Sequence, residues 1–119
     1  MQDYRKLVVW QRAHQLVLSV YSTTTALPEG ERFGLTSQMR RAAVSVPANI
    51  AEGCGRETPG ELKRFLYVAM GSARELDYHL LLARDLHFIE AQTYKRLAGE
   101  LDEIQRMLNV LIHKLVSQS

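Results

Sequence analysis

Cysteine is almost absent from this 119-residue chain, which carries Cys54 alone. An intramolecular disulfide and a cysteine-based zinc site are thereby excluded. Three prolines and seven glycines, set against 46% hydrophobic residues, are too few for a disordered chain. Strand-like alternation is missing. So is any run of 18 apolar residues, and no segment is expected to span a membrane. The start, MQDYRKLVVW, lacks the long apolar core of a secretion signal, so a cytoplasmic protein is the expectation.

Catalytic signatures are equally scarce. No Asp or Glu has a histidine three residues later, so the Glu-x-x-His pairs of di-iron bundles do not occur. His14, His79, His87 and His113 make no HExxH zinc motif. The glycines of Gly53-Cys54-Gly55 follow a helical pattern rather than a strand, which argues against a phosphate loop. Cys54 falls near a helix C-terminus, where the dipole does not activate a thiol. Catalytic, cofactor-binding and metal-binding residues are therefore assigned to none, and no enzymatic activity or small-molecule substrate is expected.

What is present is helical periodicity. Val9, Ala13, Leu16, Val20 and Thr23 recur at four and three, as do Leu35, Met39, Ala42 and Val46, with Asn49 at the next core position. Leu62, Leu66, Ala69, Ala73, Leu76, Leu80 and Ala83 repeat as a heptad, and so do Tyr94, Leu97, Leu101, Ile104, Leu108, Leu111 and Leu115. Helices are predicted over about residues 8–26, 34–54, 59–86 and 90–116, in one domain covering 1–119. Asp3 is a candidate cap for the first. Pro47 is expected to kink the second rather than end it, with Gly53 or Gly55 as its left-handed cap. Thr58-Pro59-Gly60-Glu61 has the pattern of a capping box that starts the third. The fold class is all-α: an antiparallel up-down-up-down four-helix bundle, left-handed because of the heptad period.

Several features lie outside this core pattern. Tyr67, Val68, Tyr78, Leu81 and Leu82 in the third helix, and Val110 and Ile112 in the fourth, fall off the stripes. A monomer would leave them wet, which points to a homo-oligomer with Tyr67, Tyr78, Leu81 and Leu82 at its interface. Ser45, Asn49, Glu52, Ser72 and Glu75 suggest an interhelical polar network, and Arg41 is placed to reach Glu75. Small residues around Gly71 suggest close helix packing, so that Gly71→Leu is expected to disrupt folding or assembly. Charge is uneven. Residues 32–64 hold six basic against three acidic residues, whereas 90–119 balance. Arg40, Arg41, Arg56, Lys63 and Arg64 are candidate phosphate contacts, although Phe65 and Tyr67 supply little aromatic interleaving nearby.

The segments VWQRAHQLVLSVY, ERFGLTSQMRRAAVSVPANIAEGCGR and RFLYVAMGSARELDYHLLLA resemble the four-helix bundle family of 23S rRNA intervening-sequence proteins. The chain is also similar to the accessory variability determinants of diversity-generating retroelements. The resemblance implies a cytosolic bacterial bundle, a homopentameric ring and no established enzymatic activity. Those determinants bind nucleic acid and partner a reverse transcriptase. Arg40, Arg41, Asn49, Glu52, Gly53 and Arg56 occupy the family's signature positions. His87 departs from it, standing where glycine is common in the turn after the third helix, and a non-glycine residue is strained in a left-handed cap. The function expected is a non-enzymatic oligomeric bundle that binds RNA or DNA through a basic surface. The alternative is an oligomeric scaffold that binds a protein partner without nucleic acid.

Overall fold

The computed structural model describes residues 3–118; Met1, Gln2 and Ser119 lie outside the described residues. Four helices make up the fold: α1 (Val8–Thr24), α2 (Leu35–Cys54), α3 (Pro59–Asp85) and α4 (Ala91–Gln118). Short 3-10 turns occupy Tyr4–Lys6 and Glu29–Glu31, and no strand occurs among the described residues. Each helix packs on its neighbours in sequence, α4 closes on α1, and the backbones of the diagonal pairs stay more than 8 Å apart at every described Cα. The direction of two pairs follows from their contacts. Ser45 meets Ser72 while Gly53 meets Leu62, so α2 and α3 run antiparallel. Arg12 bonds Glu103 while Val8 and Val110 share a groove, so α1 and α4 do likewise.

The helix ends have identifiable causes. Thr58 Oγ1 accepts from the Glu61 N–H at 3.1 Å, and Pro59 fills the first helical position of α3, where its missing N–H costs nothing. At the other end of α3 the Phe88 N–H donates to the Ala83 carbonyl at 2.8 Å and the His87 N–H to Arg84 at 2.9 Å. This is the Schellman arrangement, and it places His87 at φ 62°, in the region where a Cβ is strained. Asp3 caps the first 3-10 turn by accepting from the Arg5 N–H, not α1 as its position suggested; Leu7 precedes α1 without a side-chain cap bond. Helix α2 runs unbroken through Pro47.

The expected left-handed glycine cap of α2 does not form. Gly55 has φ −85°, and no described glycine has positive φ. Gly53 is required for a different reason. A Cβ at this position would lie 2.9 Å from Leu62 Cδ1 and 2.9 Å from Phe65 Cβ, so only glycine lets the end of α2 approach α3 this closely. Gly71, by contrast, is exposed and a Cβ there would meet nothing within 4 Å. The close contacts between α2 and α3 run through Ser45, Gly53 and Ser72 instead.

The core follows two periods. In α3 the heptad holds: Leu66, Ala69, Ala73, Leu76, Leu80 and Ala83 are all fully buried. The other helices step by four twice in succession. Val20 is followed by Thr24 rather than Thr23, Val46 by Ile50 rather than Asn49, and Leu108 by Ile112 rather than Leu111. A straight helix of 3.6 residues per turn drifts by about 20° per heptad, and an extra step of four restores the stripe. Ile112 therefore belongs to the core and not to a wet face, while Asn49 and Leu111 sit half-buried at its flank. Burying each leucine of the fully enclosed set contributes about 2 kcal/mol.

Candidate nucleic-acid interface

The five basic residues do not form one patch. Arg40 and Arg41 lie in the second turn of α2, and Arg56, Lys63 and Arg64 surround its end and the start of α3. Helix α2 continues from Arg41 to its end at Cys54, roughly 20 Å away at about 1.5 Å per residue, before Arg56 is reached. At the far group, the Arg56 and Arg64 guanidiniums both lie over the Phe65 ring, at 4.8 and 5.2 Å, and Arg56 also pairs with Glu52 at 2.9 Å. Lys63 is half-buried.

The near group is completed by residues that the sequence pattern did not single out. An open cleft of about 700 Å³ is lined by Tyr21, Arg32, Phe33, Arg40 and Arg41, together with the small and apolar Thr36, Ser37, Val44 and Ser45. No carboxylate lines it among the described residues. Arg40 forms its wall. Its Nε donates to Thr24 Oγ1 at 2.8 Å and its Nη2 to the Tyr21 carbonyl at 3.3 Å, with the guanidinium 4.7 Å over the Tyr21 ring. Thr24 in turn donates to the Val20 carbonyl. Arg40 thus ties α2 to the end of α1, a structural duty that competes with phosphate contact.

Arg32 and Arg41 are exposed, and their guanidiniums make no hydrogen bond or ion pair among the described residues. Phe33 is 88% exposed in the turn before α2, with the Arg32 guanidinium 5.3 Å over its ring. Aromatic surface therefore does interleave with the arginines, at Tyr21 and Phe33 rather than at Phe65 and Tyr67. The visible signal was Arg32-Phe33 before Gly34, a basic-aromatic pair in a turn too short to reach the core.

The interhelical polar network is smaller than the spacing suggested. Ser45 and Ser72 share a 2.7 Å hydrogen bond, and Asn49 Nδ2 donates to the Ser45 carbonyl at 2.8 Å and to its Oγ at 2.9 Å. Glu52 faces Arg56 outside this group. Glu75 shares a polar recess of about 260 Å³ with Arg41, Gln38, Ser45 and Ser72, but forms no ion pair with Arg41. Glu75 lies instead 3.7 Å from Nε2 of His79. His79 is buried, and its Nδ1 has no partner among the described residues. Burial pulls its pKa below the ordinary value, and Glu75 offsets part of that shift. Burial also pushes the Cys54 thiol up, towards the unreactive protonated form. Among the described residues no group of three His, Cys, Asp or Glu is placed to hold a metal ion.

The apolar residues set aside for an interface divide in two. Tyr67 and Tyr78 are 55% and 60% exposed, and their spacing of eleven puts both on one side of α3, with exposed Gly71 between them and Val68 alongside. Leu81 and Leu82 are half-buried, and Leu82 packs against the core. No helix among the described residues is long and apolar enough to cross a membrane.

Comparison with known proteins places this fold. A solved structure from Bacteroides thetaiotaomicron, a protein of unknown function from the S23 ribosomal protein family, superposes with a TM-score of 0.80. The match covers 88% of this chain and 98% of that one, at 23% sequence identity, and so speaks for the fold. No curated protein matches the chain. The family model of the 23S rRNA-intervening sequence protein matches residues 5–110, across all four helices. The matched span takes in most of the sequence, and the chain belongs to the 23S rRNA-intervening sequence protein family.

Proposed function

We propose that the chain is a non-enzymatic bundle that assembles with copies of itself, as a pentamer, and binds RNA or DNA in the cytoplasm. The observation that carries this reading is the cleft of Arg32, Arg40 and Arg41, whose own lining holds no carboxylate among the described residues, with Glu29 and Glu75 confined to the recesses beside it. Such a surface attracts phosphates, whatever the sequence they belong to. Arg56, Lys63 and Arg64 form a second, partly neutralised basic region. The non-enzymatic part is supported by side-chain chemistry: Cys54 is buried and kept protonated, and buried His79 bonds to no hydroxyl or thiol among the described residues.

Self-assembly is supported by the exposed stripe of Tyr67, Val68 and Tyr78. Repeating one modest cleft around a ring raises its avidity without any new contact. The same stripe favours the second reading, a scaffold that presents its faces to a protein partner. A gel shift with labelled RNA and DNA across a salt series separates the two. The wild-type chain should shift both at low salt, and Arg32→Ala/Arg41→Ala should weaken binding without loss of helicity. No shift at low salt would favour the scaffold. Light scattering at micromolar concentration should return five times the chain mass; a monomer mass would remove the assembly.

A further inference from the structure

We infer that the cleft at the start of α2 takes single-stranded nucleic acid, with an unpaired base stacked on Phe33. This rests on the nucleic-acid reading above and names the form of the ligand. Three observations lead to it.

Phe33 is 88% exposed, whereas the other two phenylalanines are half-buried. A ring left in water at a turn contributes nothing to the core, so folding alone gives no reason for a large aromatic there. The ring is also not isolated. Arg32 lies over it, and Arg40 over Tyr21 on the other lining of the same cleft. Each aromatic thus has a cation beside it, which matches the alternation of base and phosphate along one strand. Finally, the geometry disfavours a duplex. The bases of a duplex are stacked on each other and shielded inside the backbone, so only phosphates would reach the arginines and Phe33 would stay wet. A single strand offers π-faces and phosphates together.

Charge selects nucleic acid over a protein strand as occupant, since the lining has three arginines and no carboxylate among the described residues. Sequence preference is not implied, because every base has a face to stack.

The test is fluorescence anisotropy with a labelled 20-nucleotide RNA, offered as a single strand and as its blunt duplex. The full chain is titrated at low salt, as wild type, Phe33→Ala and Phe33→Trp. The single strand should bind more tightly than the duplex. Phe33→Ala should weaken single-strand binding roughly 5- to 150-fold, the range for losing one stacked aromatic, while leaving duplex binding unchanged. Phe33→Trp should restore it and show quenching of the added indole when the strand binds. Phe33 is too exposed for either change to affect folding, and circular dichroism would verify that. Equal binding of both forms, unaffected by Phe33→Ala, overturns the inference while the nucleic-acid reading stands. No binding of either form overturns both. If Phe33→Ala changes the assembled mass but not the affinity, the ring belongs to an interface between copies and the inference is lost.

Discussion

The hydroxyls of Ser45 and Ser72 meet at 2.7 Å across the seam between α2 and α3, and Asn49 turns back one helical turn to donate to Ser45. One small hydroxyl thus joins two helices and satisfies a half-buried amide. Ser45→Ala should destabilise by about 1–2 kcal/mol, because Ser72 loses its partner and Asn49 keeps only its bond to the Ser45 carbonyl. Ser72→Ala should cost about half as much. The double variant should lose less than the sum, with a coupling of about 0.5 kcal/mol or more in urea melts. Strict additivity would mean that the two hydroxyls do not act as a pair.

Two glycines should respond in opposite directions. Gly53→Ala brings a methyl within 2.9 Å of Phe65 Cβ, which lies too close to its own backbone to swing away. The overpacking should cost about 1–3 kcal/mol in spite of alanine's better helix propensity. Gly71→Ala meets no atom of its own chain and should stabilise the single bundle by about 0.5–1 kcal/mol. Thermal melts of the pair decide the matter.

His87→Gly should raise stability. The Schellman turn holds His87 at φ 62°, where an L side chain carries a penalty of about 1–2 kcal/mol that glycine escapes. Part of this gain is offset by the greater freedom of glycine in the unfolded chain. A net gain of about 1 kcal/mol, a few degrees in melting temperature, is the expected outcome. A lower melting temperature would show that the imidazole makes a contact worth more than the strain.

Acid should weaken the fold through His79. Burial lowers its folded-state pKa below the ordinary 6.5, with Glu75 opposing. Between the two values the unfolded chain binds the extra proton and the folded chain does not, so stability rises with pH across that interval. The contribution is complete above 6.5 and is lost as pH falls towards the folded pKa. Denaturant midpoints measured from pH 7.5 down to pH 5 should decline, and His79→Gln should flatten the decline. An identical profile in the variant would assign the acid sensitivity to other groups.

The all-α class was legible because apolar spacing at three and four has no strand interpretation, and Thr58-Pro59 announces a helix start through local chemistry alone. Where the stripe moved, at Thr24, Ile50 and Ile112, the reason is cumulative. Each heptad lags a straight helix slightly, and the point at which a four replaces a three depends on how the partner helix lies. Propensity could not show that Gly53 serves a close approach rather than a cap, since both roles place glycine near a helix end. The cleft was hidden for a related reason. Tyr21, Arg32 and Arg40 are far enough apart in sequence that only the return of α2 along α1 brings them together. Arg40 illustrates the ambiguity: its adjacency to Arg41 suggested a shared role, but one turns towards Thr24 and the other into the open.

That anchoring of Arg40 has a consequence for ion release. A guanidinium held by protein hydrogen bonds is less free to close on a phosphate, so each cleft has two fully available guanidiniums, Arg32 and Arg41. With a slope of roughly −0.7 per neutralised phosphate on a single strand, one chain should show a log–log salt dependence of roughly −1.4. If the proposed pentamer forms, a strand that follows five such clefts would steepen this to roughly −7, on the same per-phosphate value. The salt slope of the assembled protein thereby counts how many subunits a single nucleic acid touches.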